Sequence, residues 1–275
     1  MTQGILYICP TPIGNLEDIT LRTIKVLNEV DLIAAEDTRH TLKLLNHYNI
    51  KKPLISYHEH NKITAGEKIL EEIKKGKNIA LVTDAGMPGI SDPGEDIIKR
   101  CIEENIELVA LPGPTAFVLA LVLSGLSTES FVFEGFLPSK GKERKDRLNK
   151  LKNETRTIIL YEAPHRIISL LKDLLEALGN RKIAISRELT KIHEETFRGT
   201  IQEAIEKFES QNPKGEFVLV VEGTDVEEQS FDHISIKEHI KMYMDEGLSK
   251  KESIKKVAKE RNIPKSQVYR EGIDL

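Results

Sequence analysis

The sequence predicts an α/β protein with two α/β domains, a cleft between them and a small helical unit at the C-terminus. Short apolar runs alternate with segments of helical length and amphipathic pattern through most of the chain. Several of the apolar runs end in turns rich in glycine and proline. Beyond residue 225 only short, lysine-rich helical patterns remain. Alternation of strands and helices is typical of layered α/β folds, and the helical tail predicts a separate appendage.

The first 112 residues alternate strand and helix with short connections. Strands are predicted at 5–9, 31–35, 53–57, 79–83 and 106–111, and helices at 19–29, 39–48, 62–75 and 94–104. This βαβ alternation favours a parallel sheet with helices on both faces. Residues 1–112 are therefore predicted to form the first domain.

Residues 113–225 are predicted to form the second domain, with a mixed sheet. Helices are predicted at 115–124, 141–153, 165–178 and 200–210, and strands at 131–136, 157–161, 182–188, 194–199 and 216–222. The last three strands indicate that part of this sheet is antiparallel.

Residues 226–275 are predicted to hold a linker and a C-terminal unit that resembles a helix-turn-helix. The helices are predicted at 234–246, 249–260 and 264–271. Ser249 followed by Glu252 is a capping-box pattern, and Pro264 suits the start of the last helix. The apolar spacing across 254–268 is typical of two helices that pack across a short turn.

Composition narrows the class of protein. The chain has 275 residues and a formal net charge of −4, which argues neither for nor against a polyanionic partner. Two cysteines, Cys9 and Cys101, cannot form a disulfide framework and fit a reducing cytosol. No basic region precedes an apolar segment at the N-terminus, and the apolar stretch 116–123 is too short for a membrane span. These features predict a cytoplasmic protein with no membrane partner.

Three turns rich in glycine and proline, at 10–15, 84–94 and 111–116, follow predicted strands. Glycine lets the backbone approach a ligand where a Cβ would clash, and proline fixes the turn. Loops at the carboxyl ends of strands are where open α/β sheets bind ligands. The turns match neither the dinucleotide fingerprint nor the P-loop. Together they predict a cradle for one extended small molecule.

Charged residues follow the second predicted strand. Glu36, Asp37 and Arg39 stand directly after an apolar run, where carboxylates are costly unless they face a cleft. A carboxylate here suits deprotonation of a hydroxyl, and an arginine suits binding of a phosphate. We therefore expect Asp37 or Glu36 to act as a base and Arg39 to hold a phosphate. A helix N-terminus would also favour Asp37 through the helix dipole.

A second polar cluster, at 56–61, follows the third predicted strand and is interpreted as a substrate-recognition surface. His58 and His60 have a spacing found in zinc sites, but no second ligand cluster shows the usual spacing. The sequence therefore predicts no metal. A metal-dependent hydrolase that uses Asp37 and the two histidines is an alternative.

Two basic runs are predicted to bind nucleic-acid phosphates. Residues 140–152 hold seven lysines and arginines against two acids, and residues 249–270 hold eight against two. A basic run is often only a solvated helix face, but two in a net-acidic protein favour phosphate binding. The predicted RNA-binding residues are His58, Glu59, Asn61, Lys140, Lys142, Arg144, Lys145, Arg147, Arg166, Lys250, Lys251 and Lys255.

Eight motifs, taken in order, resemble those of one family. They are Pro-Thr-Pro-Ile-Gly-Asn (10–15), Glu-Asp-Thr-Arg (36–39), His-Glu-His-Asn (58–61), Asp-Ala-Gly-Met-Pro-Gly-Ile-Ser-Asp-Pro-Gly (84–94), Leu-Pro-Gly-Pro (111–114), Glu-Gly-Phe-Leu-Pro (134–138), Tyr-Glu-Ala-Pro-His-Arg (161–166) and Arg-Glu-Leu-Thr-Lys (187–191). Over its whole length the chain resembles the bacterial ribosomal RNA small subunit methyltransferase I family, in the tetrapyrrole methylase superfamily of class III methyltransferases.

The resemblance implies S-adenosylmethionine bound in the cleft between two α/β domains, and a homodimer. It also implies methyl transfer to the 2′-hydroxyl of a decoding-centre cytidine in the 16S rRNA of the small ribosomal subunit. With the three loops, it implies that the cofactor-binding residues are Pro12, Gly14, Asn15, Asp84, Ala85, Gly86, Pro88, Gly89, Ser91, Pro112, Gly113, Thr115, Glu162, Ala163, Pro164, Leu189 and Thr190.

Two alternatives stay open beside this expectation. A tetrapyrrole C-methyltransferase would share the superfamily, but the basic runs suit a small apolar substrate poorly. A non-catalytic RNA-binding factor for ribosome assembly would explain the basic runs and leave the three loops without a role.

Overall fold

The computed structural model describes residues 3–210, 215–224, 234–261, 263–273 and 275. The chain divides into two compact units, residues 1–224 and residues 225–275. Most of the predicted linker falls at 225–233, outside the described residues. Among the helices that the structure describes, none has the length and apolar character needed to cross a membrane.

The first sheet is parallel throughout, as predicted. Its strand order is β3-β2-β4-β1-β5. The strands are β1 (Ile5–Ile8), β2 (Leu32–Ala35), β3 (Leu54–Ser56), β4 (Ile79–Val82) and β5 (Glu107–Ala110). The intervening helices are α1 (Leu21–Glu29), α2 (Thr38–His47), α3 (Lys62–Lys74) and α4 (Glu95–Glu103).

Helices cover both faces of this sheet, which confirms the prediction. Along β4, Ile79 and Leu81 belong to one hydrophobic core, whereas Ala80 and Val82 belong to another. Successive strand residues point to opposite faces, so each face packs against its own helices. Because both faces are buried, the strands read as continuous apolar runs.

The second sheet is mixed, also as predicted, with the order β6-β7-β10-β8-β9. Strand β6 pairs parallel with β7, and every other pair is antiparallel. The strands are β6 (Phe131–Phe136), β7 (Thr157–Glu162), β8 (Lys182–Arg187), β9 (Glu195–Thr200) and β10 (Phe217–Val221). The helices are α5 (Ala116–Ser124), α6 (Lys142–Leu151), α7 (Ile167–Leu178) and α8 (Ile201–Glu209).

Opposite faces of the second sheet pack against different helices. Residues of α6, α7 and α8 share one core with Leu219, whereas α5 shares another with Val218 and Val220. The predicted boundary near residue 112 separates the two sheets and stays a prediction, because residues 1–224 form one unit.

Element boundaries differ from the predictions by one or two residues. Helix α1 begins at Leu21 instead of residue 19, because the Thr20 side chain accepts from Thr23 N–H and caps the helix. A separate 3-10 turn at Leu16–Asp18 precedes it. Helix α7 begins at Ile167, two residues later than predicted.

The C-terminal unit contains the three predicted helices, α9 (Ile236–Asp245), α10 (Lys250–Glu260) and α11 (Lys265–Glu271). Buried Ile240, Val257 and Val268 belong to its own core. The predicted capping box is present, since the Ser249 hydroxyl accepts from Glu252 N–H and Glu252 accepts from Ser249 N–H.

Candidate active site

The loops after β1 and β4 are joined by backbone hydrogen bonds. Thr11 N–H donates to the Gly86 carbonyl at 2.9 Å, and Gly86 N–H donates back to Thr11 at 3.0 Å. Gly86 has a φ of 83°, a left-handed conformation that glycine adopts without a steric penalty. The Thr11 hydroxyl also donates to the Thr83 carbonyl at 3.0 Å. The two loops therefore hold each other in place.

The loop after β5 packs against the loop after β1 at Gly113. A Cβ at this residue would lie 2.4 Å from Cγ of Pro10, which is closer than van der Waals contact allows. Glycine is therefore required for this approach. The three glycine- and proline-rich loops meet at one edge of the first sheet, where the carboxyl ends of parallel strands place their ligands.

A cleft of about 500 Å³ lies between these loops and the second sheet. Of the predicted cofactor-binding residues, it is lined by Asp84, Ala85, Gly86, Ser91, Thr115 and Leu189, and the predicted catalytic residue Glu36 lines it too. An adjoining pocket of about 440 Å³ is lined by Pro12 and Gly14, together with Asp84 and Ala85. The structure brings these predicted residues together.

Other predicted cofactor-binding residues lie outside both pockets. They are Asn15, Pro88, Gly89, Pro112, Gly113, Glu162, Ala163, Pro164 and Thr190. Asn15 and Thr190 join the two halves of the α/β unit, because Asn15 N–H donates to Thr190 Oγ1 at 3.0 Å. The backbone contacts of Asn15 and Gly113 position the lining loops.

Glu162 is fully buried and bound by protein groups. Its Oε1 accepts from Ala163 N–H at 2.9 Å and lies 3.1 Å from Nε of Arg166, and its Oε2 lies 3.9 Å from Nη1 of Arg144. Arg144 is 5% exposed, and its Nε donates to Oδ2 of Asp173 at 2.7 Å. Burial and these bonds give the Glu162 and Arg144 side chains an internal role, and their predicted contacts with cofactor and RNA stay predictions.

Arg166 is held in the same group of residues. Its Nη2 donates to the Leu137 carbonyl at 2.7 Å, and Nη1 of Arg144 donates to the Pro138 carbonyl at 3.0 Å. The two guanidinium groups therefore fix the segment after β6. Arg166 has this internal role, whereas the sequence predicted a contact with RNA.

Asp37 caps helix α2 and binds Arg39. Its Oδ1 accepts from Arg39 N–H, and Nη2 of Arg39 donates to its Oδ2, both at 2.8 Å. The hydrogen bonds from Arg39 lower the pKa of Asp37 far below its usual range. Asp37 therefore has a structural role at the start of α2, and its predicted role as a base stays a prediction. The Arg39 side chain is 89% exposed and can face a phosphate.

Glu36 faces the cleft as predicted for a residue after β2. Its Oε2 accepts from the Thr83 hydroxyl at 2.7 Å and lies 3.4 Å from Asp84 N. Asp84 in turn accepts from Asp37 N–H at 3.1 Å. Burial, with a contribution from nearby Glu36, raises the pKa of Asp84. These bonds tie the ends of β2 and β4 together.

Sequence analysis missed Asp92, which lines the same cleft. Burial, followed by repulsion from Glu36, raises the pKa of Asp92 to about 7. The available signal was its position as an acid inside a loop already predicted to bind a small molecule.

Second-sheet residues of the cleft were missed as well. Phe136, Tyr161 and Glu216 line it, together with the start of β10. Phe117 N–H donates to the Tyr161 hydroxyl at 3.2 Å, and burial raises the pKa of Tyr161 to about 12. Phe136 and Tyr161 lie in two of the eight motifs, but the sequence did not show that they line the cleft, because they reach it only through packing of the second sheet.

The predicted RNA-binding residues near β3 bond mainly to neighbouring residues of the same segment. The Asn61 side chain accepts from His58 N–H at 2.8 Å and donates to the Ser56 carbonyl at 3.1 Å. Glu59 pairs with Lys62 at 2.6 Å. The Asn61 side chain therefore holds its own loop, and its predicted contact with RNA stays a prediction.

The lysines of α6 and of the segment before it are exposed. Lys140, Lys142 and Lys145 face solvent, and Arg147 is partly exposed with Nη1 3.7 Å from Oε2 of Glu134. In the C-terminal unit Lys251 and Lys255 are exposed on α10, and Lys250 donates to the Ile273 carbonyl at 3.1 Å. Within the described ranges, no cluster of three histidine, cysteine or acidic residues is arranged to hold a metal ion.

Comparison with known proteins links this geometry to a family. Residues 5–205 match the family described as Tetrapyrrole (Corrin/Porphyrin) Methylases. A protein of Bacillus subtilis named ribosomal RNA small subunit methyltransferase I is 52% identical over 97% of this chain and 93% of its own length. A Synechocystis protein of the same name is 48% identical over 99% of both chains. A Thermotoga maritima protein of that name is 51% identical over 80% of this chain and 99% of its own.

Two solved structures share the fold. Cobalt precorrin-4 methyltransferase, a cobalamin biosynthetic enzyme, superposes with a TM-score of 0.62 at 16% identity, over 79% of this chain and 94% of its own. Uroporphyrin-III-C-methyltransferase of Thermus thermophilus gives a TM-score of 0.55 at 19% identity, with the same coverage. Identities this low establish a common architecture only.

Proposed function

The chain belongs to the ribosomal RNA small subunit methyltransferase I family within the tetrapyrrole methylases, and we propose that it methylates a ribose of 16S rRNA. The acceptor is the 2′-hydroxyl of a cytidine in the decoding centre, and the methyl donor is S-adenosylmethionine. Two observations together support this proposal. The cleft is acidic and lined by the three loops. The chain is about half identical to rRNA methyltransferases over nearly its full length.

The residues of the cleft fit S-adenosylmethionine. This molecule carries a positive sulfonium and an ammonium group, and Glu36, Asp84, Asp92 and Glu216 supply negative charge along the cleft. Phe136 and Tyr161 offer aromatic surface to a base. When bound, S-adenosylmethionine supplies a methyl group that is already activated for transfer.

The charges of the protein favour entry of the ribose into the cleft and keep the phosphates of the RNA outside it. Carboxylates inside the cleft repel phosphate, so a nucleotide enters with its ribose and base while its phosphates stay outside. Exposed Arg39, Lys142 and Lys145 suit those phosphates. The protein aligns the acceptor oxygen with the methyl group, and such positioning supplies roughly 7–11 kcal/mol of a barrier.

The tetrapyrrole alternative is less well supported than rRNA methylation. The proteins that act on tetrapyrroles share only 16% and 19% identity with this chain, whereas the rRNA methyltransferases share about half of their residues. We also propose that the protein acts in the cytoplasm as a homodimer, as the family resemblance implies.

Methyl transfer to ribosomal subunits tests this function. Small subunits are prepared from cells that lack the protein and incubated with the protein and labelled S-adenosylmethionine, followed by nucleoside analysis of the RNA. We expect label in 2′-O-methylcytidine, with large subunits from the same cells as the control. Label in another nucleoside would overturn the proposed acceptor, and cofactor binding without RNA label would favour a small-molecule acceptor.

A further inference from the structure

We propose that the C-terminal unit binds the phosphates of RNA through Lys251, Lys255 and Lys259, which together form the lysine stripe of α10. The identity of the RNA, the rRNA of the small subunit, rests on the function proposed above. The sequence-based expectation was a contact by Lys250, Lys251 and Lys255. The structure favours a different set, because other residues of the C-terminal basic run are already bound within the unit.

Three basic residues of this run bond inside the C-terminal unit. Lys250 donates to the Ile273 carbonyl at 3.1 Å. Lys256 lies over the ring of Tyr243, with Nζ 3.7 Å from the ring centroid, which is a cation–π contact. Nη2 of Arg261 donates to two backbone carbonyls just before α9. These three side chains therefore hold the helices of the unit together.

The lysine stripe differs from these residues in its exposure and lack of partners. Its three lysines recur every four residues, so they lie on one side of α10, about 6 Å apart along the axis. All three are exposed, and within the described part of the chain none of their ammonium groups has a hydrogen-bond or ion-pair partner. Like charges at this spacing destabilise a helix. A polyanion along this side would supply the missing negative charge.

The two acids of α10 have other partners. Glu252 accepts from Ser249 N–H in the capping box. Glu260 accepts from the Tyr243 hydroxyl at 2.8 Å and lies 3.3 Å from Nε2 of His239. Neither acid pairs with a lysine of the stripe, so the positive charge of the stripe can act on a ligand.

The arrangement of the helices favours nucleic acid as that ligand. Helices α10 and α11 follow each other in the chain and pack together, with Val257 and Val268 in one core. By analogy with helix-turn-helix proteins, the first of two such helices crosses the nucleic-acid backbone. The major groove of an RNA duplex is too narrow for side chains to read. We therefore expect contacts of the stripe with phosphates, independent of base sequence.

The unit that carries the stripe is separate from the unit that carries the cleft. It is a compact unit with a core of its own. The Thermotoga maritima relative aligns over 99% of its own length and yet covers only 80% of this chain. A second RNA contact on a tethered unit raises the affinity for the RNA without a role in the reaction. The stripe should therefore affect KM and leave kcat unchanged.

Replacement of the three lysines by glutamine in the full chain tests the proposal. The variant that combines Lys251→Gln, Lys255→Gln and Lys259→Gln should bind protein-free 16S rRNA with a changed salt dependence. We expect the slope of log affinity against log salt to fall by about 2–3, the value for three lost phosphate contacts. With small subunits, KM should rise while kcat and the affinity for S-adenosylmethionine stay unchanged. Replacement of the same lysines by arginine should retain the wild-type slope, because the charge is kept.

A second triple variant is the matched control. Lys25→Gln, Lys172→Gln and Lys182→Gln remove the same number of charges from exposed lysines that pair with acids. This variant should keep the wild-type slope. Urea denaturation of both triple variants checks that each is folded.

Three outcomes decide between the alternatives. An unchanged slope in the variant of the stripe would overturn the proposal and leave the stripe as a solvated surface. Weaker binding to subunits with an unchanged slope on protein-free rRNA would identify a ribosomal protein as the partner, which also overturns it. If the wild-type protein transfers no methyl group to RNA, the proposed function fails instead, and the salt series still decides whether the stripe binds RNA.

Discussion

Two groups of carboxylates at strand ends of the α/β unit differ in how their charge is compensated. Around Glu162, at the end of β7, Arg144 and Arg166 balance the buried charge and Asp173 completes the cluster. Around Asp92, the charged neighbours that shift its pKa are all acids, and the residue lines the cleft. The paired group fixes a segment of backbone, whereas the unpaired group keeps a proton affinity close to neutrality. The first group therefore stabilises the fold, whereas the second raises the pKa of an acid that lines the cleft.

The largest effect should come from removing an arginine from the paired group. Arg144→Met removes one of the two arginines beside buried Glu162 and the arginine that pairs with partly exposed Asp173, and breaking a buried pair costs about 3–5 kcal/mol. We expect a loss near the lower end, because Arg166 still lies 3.1 Å from Glu162. Urea denaturation measures the free energy of unfolding.

Lys145→Met is the matched control for that variant. Lys145 is the next residue of α6 and is exposed, so its replacement should change stability by less than about 0.5 kcal/mol. Equal losses in the two variants would show that Arg144 contributes no more than an exposed residue does.

The unpaired group should make stability depend on pH. The pKa of Asp92 is about 7 in the folded protein and near 3.9 when unfolded. Between these values the folded state holds more protons, so this group lowers the free energy of unfolding as the pH rises from about 4 to about 7.

Asp92→Asn should therefore stabilise the protein above neutral pH and change little at about pH 4. After allowance for solvent screening we expect a gain of about 1 kcal/mol. Urea denaturation of both proteins at the two pH values measures it. A variant less stable than the wild type above neutral pH would show that Asp92 is paired like Glu162.

The smallest effect concerns RNA affinity and separates the two faces of α6. Lys145→Ala should weaken binding to small subunits and reduce the slope of log affinity against log salt by about 1, the value for one lost phosphate contact. Filter binding over a salt series measures the slope. An unchanged slope would place the RNA away from α6 and leave its lysines as a solvated surface.

Much of the fold and part of the site could be predicted from the sequence. Apolar periodicity identified every strand and helix of both sheets within two residues, because burial on one or two faces leaves a direct pattern. The glycine- and proline-rich loops were found for a different reason, because turns such as the one at Gly86 require particular residues. Motifs of this kind also identified the family.

The environments that the sequence did not show are those of charged residues. Arg144 and Lys145 are adjacent basic residues of one helix, yet one is buried and the other exposed. Asp37 and Asp92 are both acids after strands, yet their pKa values move in opposite directions. The partners of Arg144 and the acids around Asp92 lie elsewhere in the chain, so a local pattern does not show them. Arg39 is only two residues from Asp37, but the bonds between their side chains appear only in the structure.

The sequence by itself determined the order of elements, the direction of the strands and the three loops at one sheet edge, because these follow from local periodicity and backbone restriction. Only the tertiary structure decided which charged groups are neutralised and which face one another in the cleft. Coulombic interaction and desolvation depend on distance and burial, and both are set by how the two sheets pack.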